Sequence, residues 1–248
     1  MICPLRTAIV LAASAIVLAT PVAAVAQEAQ VPDTEEAEIV ILGMAGEPFR
    51  LTSDRLRDAI RTYEEKREAL APQATLEWTI RNYDPTSDLA LTLVDRKSKQ
   101  RTKVAITPDG RFVLPHDRML ERKFDLVANR SREPVGIMPT VFSPGGTLER
   151  HRVGDARLAC HVTLAFIDND MSAFERMVLR TVGGCDSSRV SAMRGTDRPI
   201  ATVDVSGWDG EIRVADDRRS YRMPVHDRSL DNESIITLRY AQEGSSAD

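Results

Sequence analysis

The chain has 248 residues, 42% of them hydrophobic and only 5% aromatic, with 33 basic residues against 37 acidic ones for a formal net charge of −4. An acidic balance with no basic stripe excludes the electrostatic footprint of a nucleic-acid binder, and beyond the first 26 residues no apolar run approaches the roughly 20 that a membrane helix needs. With so few aromatics, Val, Ile and Leu must supply the core, and the β-branched share among them favours strands.

Residues 1–26 combine Arg6, an apolar run from Ala8 to Ala19, Pro21 and Ala24-Val25-Ala26. This is the pattern of an export signal cleaved near Ala26, its apolar core too short to span a bilayer. Removing it moves the net charge from −4 to −5 and implies a periplasmic or secreted protein. Cys3 leaves with the signal, so Cys160 and Cys185 are the mature cysteines. An even pair in an oxidising compartment is expected to be a disulfide. The alternative is a metal site using Cys160 with His161, disfavoured because neighbours on a strand point to opposite faces.

Residues 27–45 read as an acidic disordered leader followed by a short strand, Ile39 to Leu42. Residues 46–134 read as a helix plus a first β unit. The helix opens at Ser53, with Leu56, Ile60, Tyr63 and Leu70 near a 3.6-residue period, and stops before Pro72. Its charged face, including Arg61 and Glu65, reads as solvated. From Thr75 the period changes to two, giving strands at 75–80, 89–94, 102–106, 112–114 and 124–128, with Asp109-Gly110 as a hairpin turn.

Residues 135–189 read as a linker rich in Pro and Gly (136–146), a strand over Leu158 to Ile167 carrying Cys160, and a disulfide-tethered helix. Ser172-Ala-Phe-Glu175 is a capping box, Phe174, Met177, Val178 and Thr181 form one apolar stripe, and Gly183-Gly184 ends the helix. Residues 190–241 read as a second β unit and 242–248 as a flexible tail. Its strands echo the first unit: Leu91 to Asp95 matches Ile200 to Asp204, Phe112 to Leu120 matches Tyr221 to Leu230 with one insertion, and Phe124 to Ala128 matches Ile235 to Leu238. The expected fold class is mainly β with two helices, arranged as tandem β-sandwich-like (Ig/transthyretin-like) units.

The segment Thr107-Pro-Asp-Gly-Arg-Phe-Val-Leu-Pro115, followed by the alternating Phe124 to Ala128, resembles the hairpin of carboxypeptidase regulatory-like, transthyretin-like β-sandwiches. The resemblance implies a non-catalytic extracytoplasmic accessory or carbohydrate-related module and carries over no catalytic residue.

The sharpest polar motif is the repeated His-Asp-Arg at His116-Asp117-Arg118 and His226-Asp227-Arg228. A hydrolase-like enzyme would use His116 and His226 as bases, with Asp117 or Asp227 from the other copy orienting them, because adjacent His and Asp on an extended chain diverge. The competing expectation is a turn capped by the Asp, with the Arg paired to it. No G-x-S-x-G, S-x-x-K or H-E-x-x-H motif accompanies the histidines. No metal or cofactor motif appears, so none is expected. The reading is an exported, non-catalytic binding or structural module of the bacterial cell envelope, whose partner is another envelope protein or a glycan. The alternatives are the His116/His226 enzyme and a metal or small-molecule carrier.

Overall fold

A computed structural model of the protein describes residues 49–130 and 135–241. The expected signal, acidic leader, Ile39 to Leu42 strand and C-terminal tail lie outside the described residues. Helix α1 (Ser53–Leu70) forms as its apolar period requires, burying Leu56, Ala59, Ile60 and Tyr63. Its N-terminus is capped from far away: the backbone N–H of Ser53 donates to Asp125 Oδ1 at 2.9 Å, while Thr52 supplies no side-chain cap. Asp125 is buried and also pairs with Arg50.

Strands β1 (Arg50–Leu51), β2 (Thr75–Ile80), β3 (Leu91–Asp95), β4 (Arg101–Val104), β5 (Arg111–Phe112), β6 (Phe124–Ala128) and β7 (Ile137–Phe142) make two antiparallel sheets. Their orders are β1-β6-β3-β4 and β5-β2-β7. The Asp109-Gly110 turn closes as its chemistry demands, with Gly110 at φ +78° and its N–H donating to Thr107 O at 2.9 Å. It is not a hairpin, however: β4 pairs with β3 and β5 with β2, so the turn carries the chain from one sheet to the other.

Two further expectations are corrected. The stretch from Gly136 to Gly146 is not all loop, since β7 occupies 137–142 and pairs with β2 along six registered positions. Pro139 is tolerated there because β7 is an edge strand, where a missing N–H costs no ladder bond. The segment from Leu158 to Ile167 is not a strand but most of helix α3 (Val153–Ile167). Arg152 N–H donates to Asp155 Oδ2 at 3.3 Å at the helix start, and Ser143 Oγ donates to Asp155 Oδ1 at 2.7 Å.

Helix α3 serves two cores at once. Leu158, Val162 and Phe166 enter the core built by α1 and the first two sheets, whereas Val153, Ala156 and Cys160 enter a second core with Ile200, Tyr221 and Ile236. The helix is therefore apolar on nearly every side. Gly154 permits a close approach to the end of α1, since a Cβ there would lie 2.2 Å from the Leu70 carbonyl oxygen.

The described residues contain four α-helices rather than two: α1, α2 (His116–Glu121), α3 and α4 (Ala173–Val182). The remaining strands are β8 (Arg150–Arg152), β9 (Met193–Gly195), β10 (Ile200–Val205), β11 (Ser220–Arg222) and β12 (Ile235–Tyr240). They pair as β10-β12-β8 and β11-β9, all antiparallel. Part of this strand order recurs from the first half, without counterparts to β4 and β7. β1 leads into α1, and β6 lies between β1 and β3; β8 leads into α3, and β12 lies between β8 and β10. Likewise β2 pairs with β5 as β9 pairs with β11.

One difference between the halves is large. Four residues, Ala71–Ala74, connect α1 to β2, whereas the chain from Asp168 to Ala192 intervenes between α3 and β9. That longer connection holds α4 between two 3-10 turns, Asp168–Asp170 and Gly184–Asp186.

Candidate functional site

The insertion builds one wall of a groove against α1 and α3. Both arms of the capping box close at its start, with Glu175 N–H donating to Ser172 Oγ at 3.2 Å and Ser172 N–H donating to Glu175 Oε2 at 2.6 Å. Gly183, at φ +91°, ends α4 in the left-handed conformation. The Cys160–Cys185 disulfide then ties the far end to α3, with Cα atoms 6.1 Å apart. The expected bridge is present, but it pins helix to helix rather than helix to strand.

Held in this way, α4 turns its apolar stripe outward. Phe174 is 67% exposed, Met177 57% and Val178 40%, and no residue of α4 is buried. Its opposite side, with Arg176, Leu179, Arg180 and Gly183, faces α1 and α3 across a groove of about 640 Å³. The α1 wall presents Asp58, Arg61, Thr62 and Glu65, and the α3 wall His161, Leu164, Ala165 and Asp168. Each quartet follows the i, i+3, i+4, i+7 spacing of one helix face.

Most charges in the groove are already matched. Arg61 lies 3.3 Å from Asp58, which also accepts from Asn169 at 3.2 Å. Arg176 donates to the Asp168 carbonyl at 3.1 Å and lies 4.0 Å from its carboxylate. Glu65 on α1 and Arg180 on α4 have no polar partner among the described residues. His161 Nε2 sits 3.9 Å from Asp186. Burial, and then the charge of Lys66, lower its pKa from the ordinary value against the opposing pull of Asp186.

The two His-Asp-Arg motifs lie elsewhere. His116 begins α2, where its Nδ1 is 3.1 Å from Glu64 Oε1 and its ring meets Tyr63 edge-on at 5.4 Å. Asp117 is exposed and Arg118 stacks over the Phe124 ring at 5.6 Å rather than pairing with it. The second copy belongs to a loop wrapped around Arg157 of α3. That guanidinium donates to the carbonyls of Val225 at 3.1 Å, Asp227 at 2.5 Å and Leu230 at 3.0 Å, and to Asn232 Oδ1. Asp227 Oδ1 caps the turn, accepting from Ser229 N–H at 2.9 Å and Ser229 Oγ at 2.7 Å, which holds its pKa below the usual carboxylate value. No hydrogen bond or ring contact joins His116 to His226 among the described residues, and neither lines the groove.

Sequence reasoning missed the groove residues because Arg61 and Glu65 look like part of a solvated helix face. The readable signal was the unequal length of the two helix-to-strand connections. No group of three or more His, Cys, Asp or Glu suited to a metal ion occurs among the described residues. No described helix is long and apolar enough to cross a membrane. Comparison with protein-family models, with characterised proteins and with solved structures finds no match to this chain.

The disulfide gives a direct stability prediction. Closing the 25-residue separation between Cys160 and Cys185 constrains the unfolded chain by about 3 kcal/mol in the chain-entropy model. Cys160→Ala is expected to lower unfolding free energy by that amount in urea titration. Hydrogen exchange across 173–182 should rise far more than across α3, because α4 has no buried residue to retain it.

Proposed function

We propose that the protein is an exported, non-catalytic binding module of the bacterial cell envelope, with the groove between α1, α3 and α4 as its binding face. The observation that carries this reading is the insertion from Asp168 to Ala192. It adds nothing to either core through α4, yet it is capped at one end, cross-linked at the other and forms one wall of the groove. A helix so firmly held that buries no residue of its own is best explained by recognition. Export is supported by the pattern of residues 1–26, with which a disulfide is consistent.

The scaffold itself we read as two tandem β units of sandwich-like type, each entered through a strand and helix. The recurring strand order supports duplication, and the local resemblance of 107–128 to accessory β-sandwich modules agrees with a binding role. The groove lining has no Phe, Tyr or Trp ring on which a sugar could stack, which favours a ligand other than a glycan.

The test is ligand-observed and protein-observed NMR with a small-molecule library. Binders should shift the amides of Thr62, Ala165 and Leu179, and Ala165→Trp should abolish those shifts by filling the groove. His116→Ala and His226→Ala should leave them unchanged. Binders clustering away from the groove, or a turnover lost in the histidine variants with fold retained, would refute the proposal.

A further inference from the structure

β4 is an edge strand: it pairs with β3 alone, so the N–H and C=O groups on its other side have no partner among the described residues. Such an edge is a template for one more strand, and lysines along it repel most candidates while favouring an acidic one. Lys97, Lys99, Arg101 and Lys103 stand exposed along β4 and the turn before it, with no acidic partner among the described residues. The turn is held by the buried Asp95, whose Oδ1 accepts from the N–H groups of Lys97 and Ser98 at 2.8 Å each. Beside β4 lies an apolar cavity of about 130 Å³ walled by Leu93, Val104, Val113 and Phe124, where Val113 is 63% exposed.

An acidic strand occurs in the chain's own leader. Glu35, Glu36 and Glu38 precede the β-branched run Ile39 to Leu42, and residues 27–48 contain no Lys, Arg or His. The leader joins the described structure at the matching end of the sheet. Phe49 O accepts from Ala128 N–H at 3.0 Å, Ala128 pairs with Leu91 and Leu91 with Val104, so Phe49 is level with Val104. Three strand steps separate β1 from β4 and a fourth reaches a strand outside it, about 19 Å at 4.7–4.9 Å per step. The seven residue steps from Leu42 to Phe49 span up to about 24 Å. With Leu42 beside Val104, the segment runs parallel to β4, and its glutamates pass Arg101 and the turn that carries Lys97 and Lys99. The nearer edge, β1, is two residues long, and its one cation, Arg50, is already engaged by Asp125.

We propose that residues 35–42 dock on the free edge of β4 as a fifth strand of this sheet. Alternate side chains of Ile39 to Leu42 lie over the apolar cavity, and Glu35, Glu36 and Glu38 lie against Lys97, Lys99, Arg101 and Lys103. The occupant is this chain's own leader rather than a separate acidic peptide, because the tether holds it at an effective concentration of about millimolar. Docking covers an edge that would otherwise template pairing between copies, and it covers Val113. The contact is independent of the groove.

The experiment attaches a nitroxide to Ile41→Cys in the mature chain, whose two native cysteines are joined in the disulfide, and reads the broadening of backbone amide signals. The amides of Arg101, Thr102, Lys103 and Val104 should broaden most. Combining Glu35→Lys, Glu36→Lys and Glu38→Lys should abolish that broadening, and adding Lys97→Glu, Lys99→Glu and Lys103→Glu should restore it. Without the nitroxide, the outward N–H groups of β4 should exchange at least tenfold faster in the variant with the three glutamates reversed than in the parent. The three lysines are exposed, so reversing them does not threaten the fold. Broadening centred on Arg50 and Leu51, its absence from β4, or β4 broadening that survives reversal of the glutamates would each overturn the proposal. So would β4 broadening that passes from nitroxide-bearing protein to an isotope-labelled second copy in a mixture, since the strand would then come from another molecule.

Discussion

Lowering the pH from 7 to 5 is expected to destabilise the protein by about 2 kcal/mol through His151 alone. This imidazole is 1% exposed, lies 3.3 Å from the Tyr221 hydroxyl through Nε2, and meets the Phe142 ring edge-on at 5.9 Å. Burial first, and then the Arg194 guanidinium, lower its pKa from 6.5 to about 3; the backbone of Thr147 and Leu148 opposes this without overcoming it. The other charged group in the cluster, Asp155, faces Arg194, and the same burial raises the Tyr221 pKa to about 12.

The sign follows from proton counting. Above pH 6.5 the ring is neutral whether the chain is folded or not, so it has no effect. Below that value the unfolded chain takes up a proton that the folded protein refuses, and stability falls until the pH reaches about 3. The full loss is on the order of 5 kcal/mol, at 1.36 kcal/mol per unit of pKa difference. The window from pH 7 to 5 lies above the range where Asp84, Asp88, Asp95, Asp109 and Asp227, all held below their ordinary pKa, add their own acid dependence. His161, also lowered, contributes in the same direction as His151. His151→Gln keeps a polar partner for Tyr221 and removes the titration. Urea midpoints measured from pH 7 to 5 should be flatter for the variant by about 2 kcal/mol, and an identical pH profile would contradict the assignment.

What could be read in advance depended on how many faces each element buries. Helix α1 has one buried face and one charged face, so Leu56, Ile60 and Tyr63 announce it. Helix α4 was equally clear from its capping box and Gly183, but the outward direction of its stripe was not, because a stripe tells which residues share a face and not what covers them. Helix α3 has two buried faces and no polar stripe, so its period is hidden and its apolar run reads as a strand. Strand β7 was masked by Pro139, whose cost depends on its being at a sheet edge. The corner at Gly110 shows the same limit: the local turn follows from Asp-Gly, but the sheet each flanking strand joins is a tertiary matter. The groove was hardest of all, since three separate segments supply its walls and its polar residues look like ordinary surface charge along each one.

Phe166→Ala should test the central place of α3 and cost about 4 kcal/mol. Phe166 is 1% exposed, its ring lies edge-on to Trp78 at 5.4 Å, and the Arg55 guanidinium covers it at 4.4 Å. Trp78 is fully buried on β2, so removing the phenyl ring leaves a cavity against a rigid indole and forfeits both transfer energy and packing. Arg55 also donates to the Phe166 carbonyl at 3.2 Å and pairs with Asp170 at 2.8 Å. The contact therefore links α1, the end of α3 and the start of the insertion. Chemical denaturation should show the full loss with little change in m-value if a single cooperative unit contains α1, α3 and the first two sheets. The neighbouring Ile167, only partly buried, provides the internal comparison: Ile167→Ala should cost markedly less. An alternating strand would also distinguish these two positions, so a third variant decides between the geometries. Val162 lies four residues before Phe166 and is fully buried in the same core. Leu164, two residues after Val162, would share its face in an alternating strand but is only partly buried and lines the groove instead. Val162→Ala should be strongly destabilising while Leu164→Ala costs markedly less, and comparable large losses at both positions would be incompatible with the two-sided helix.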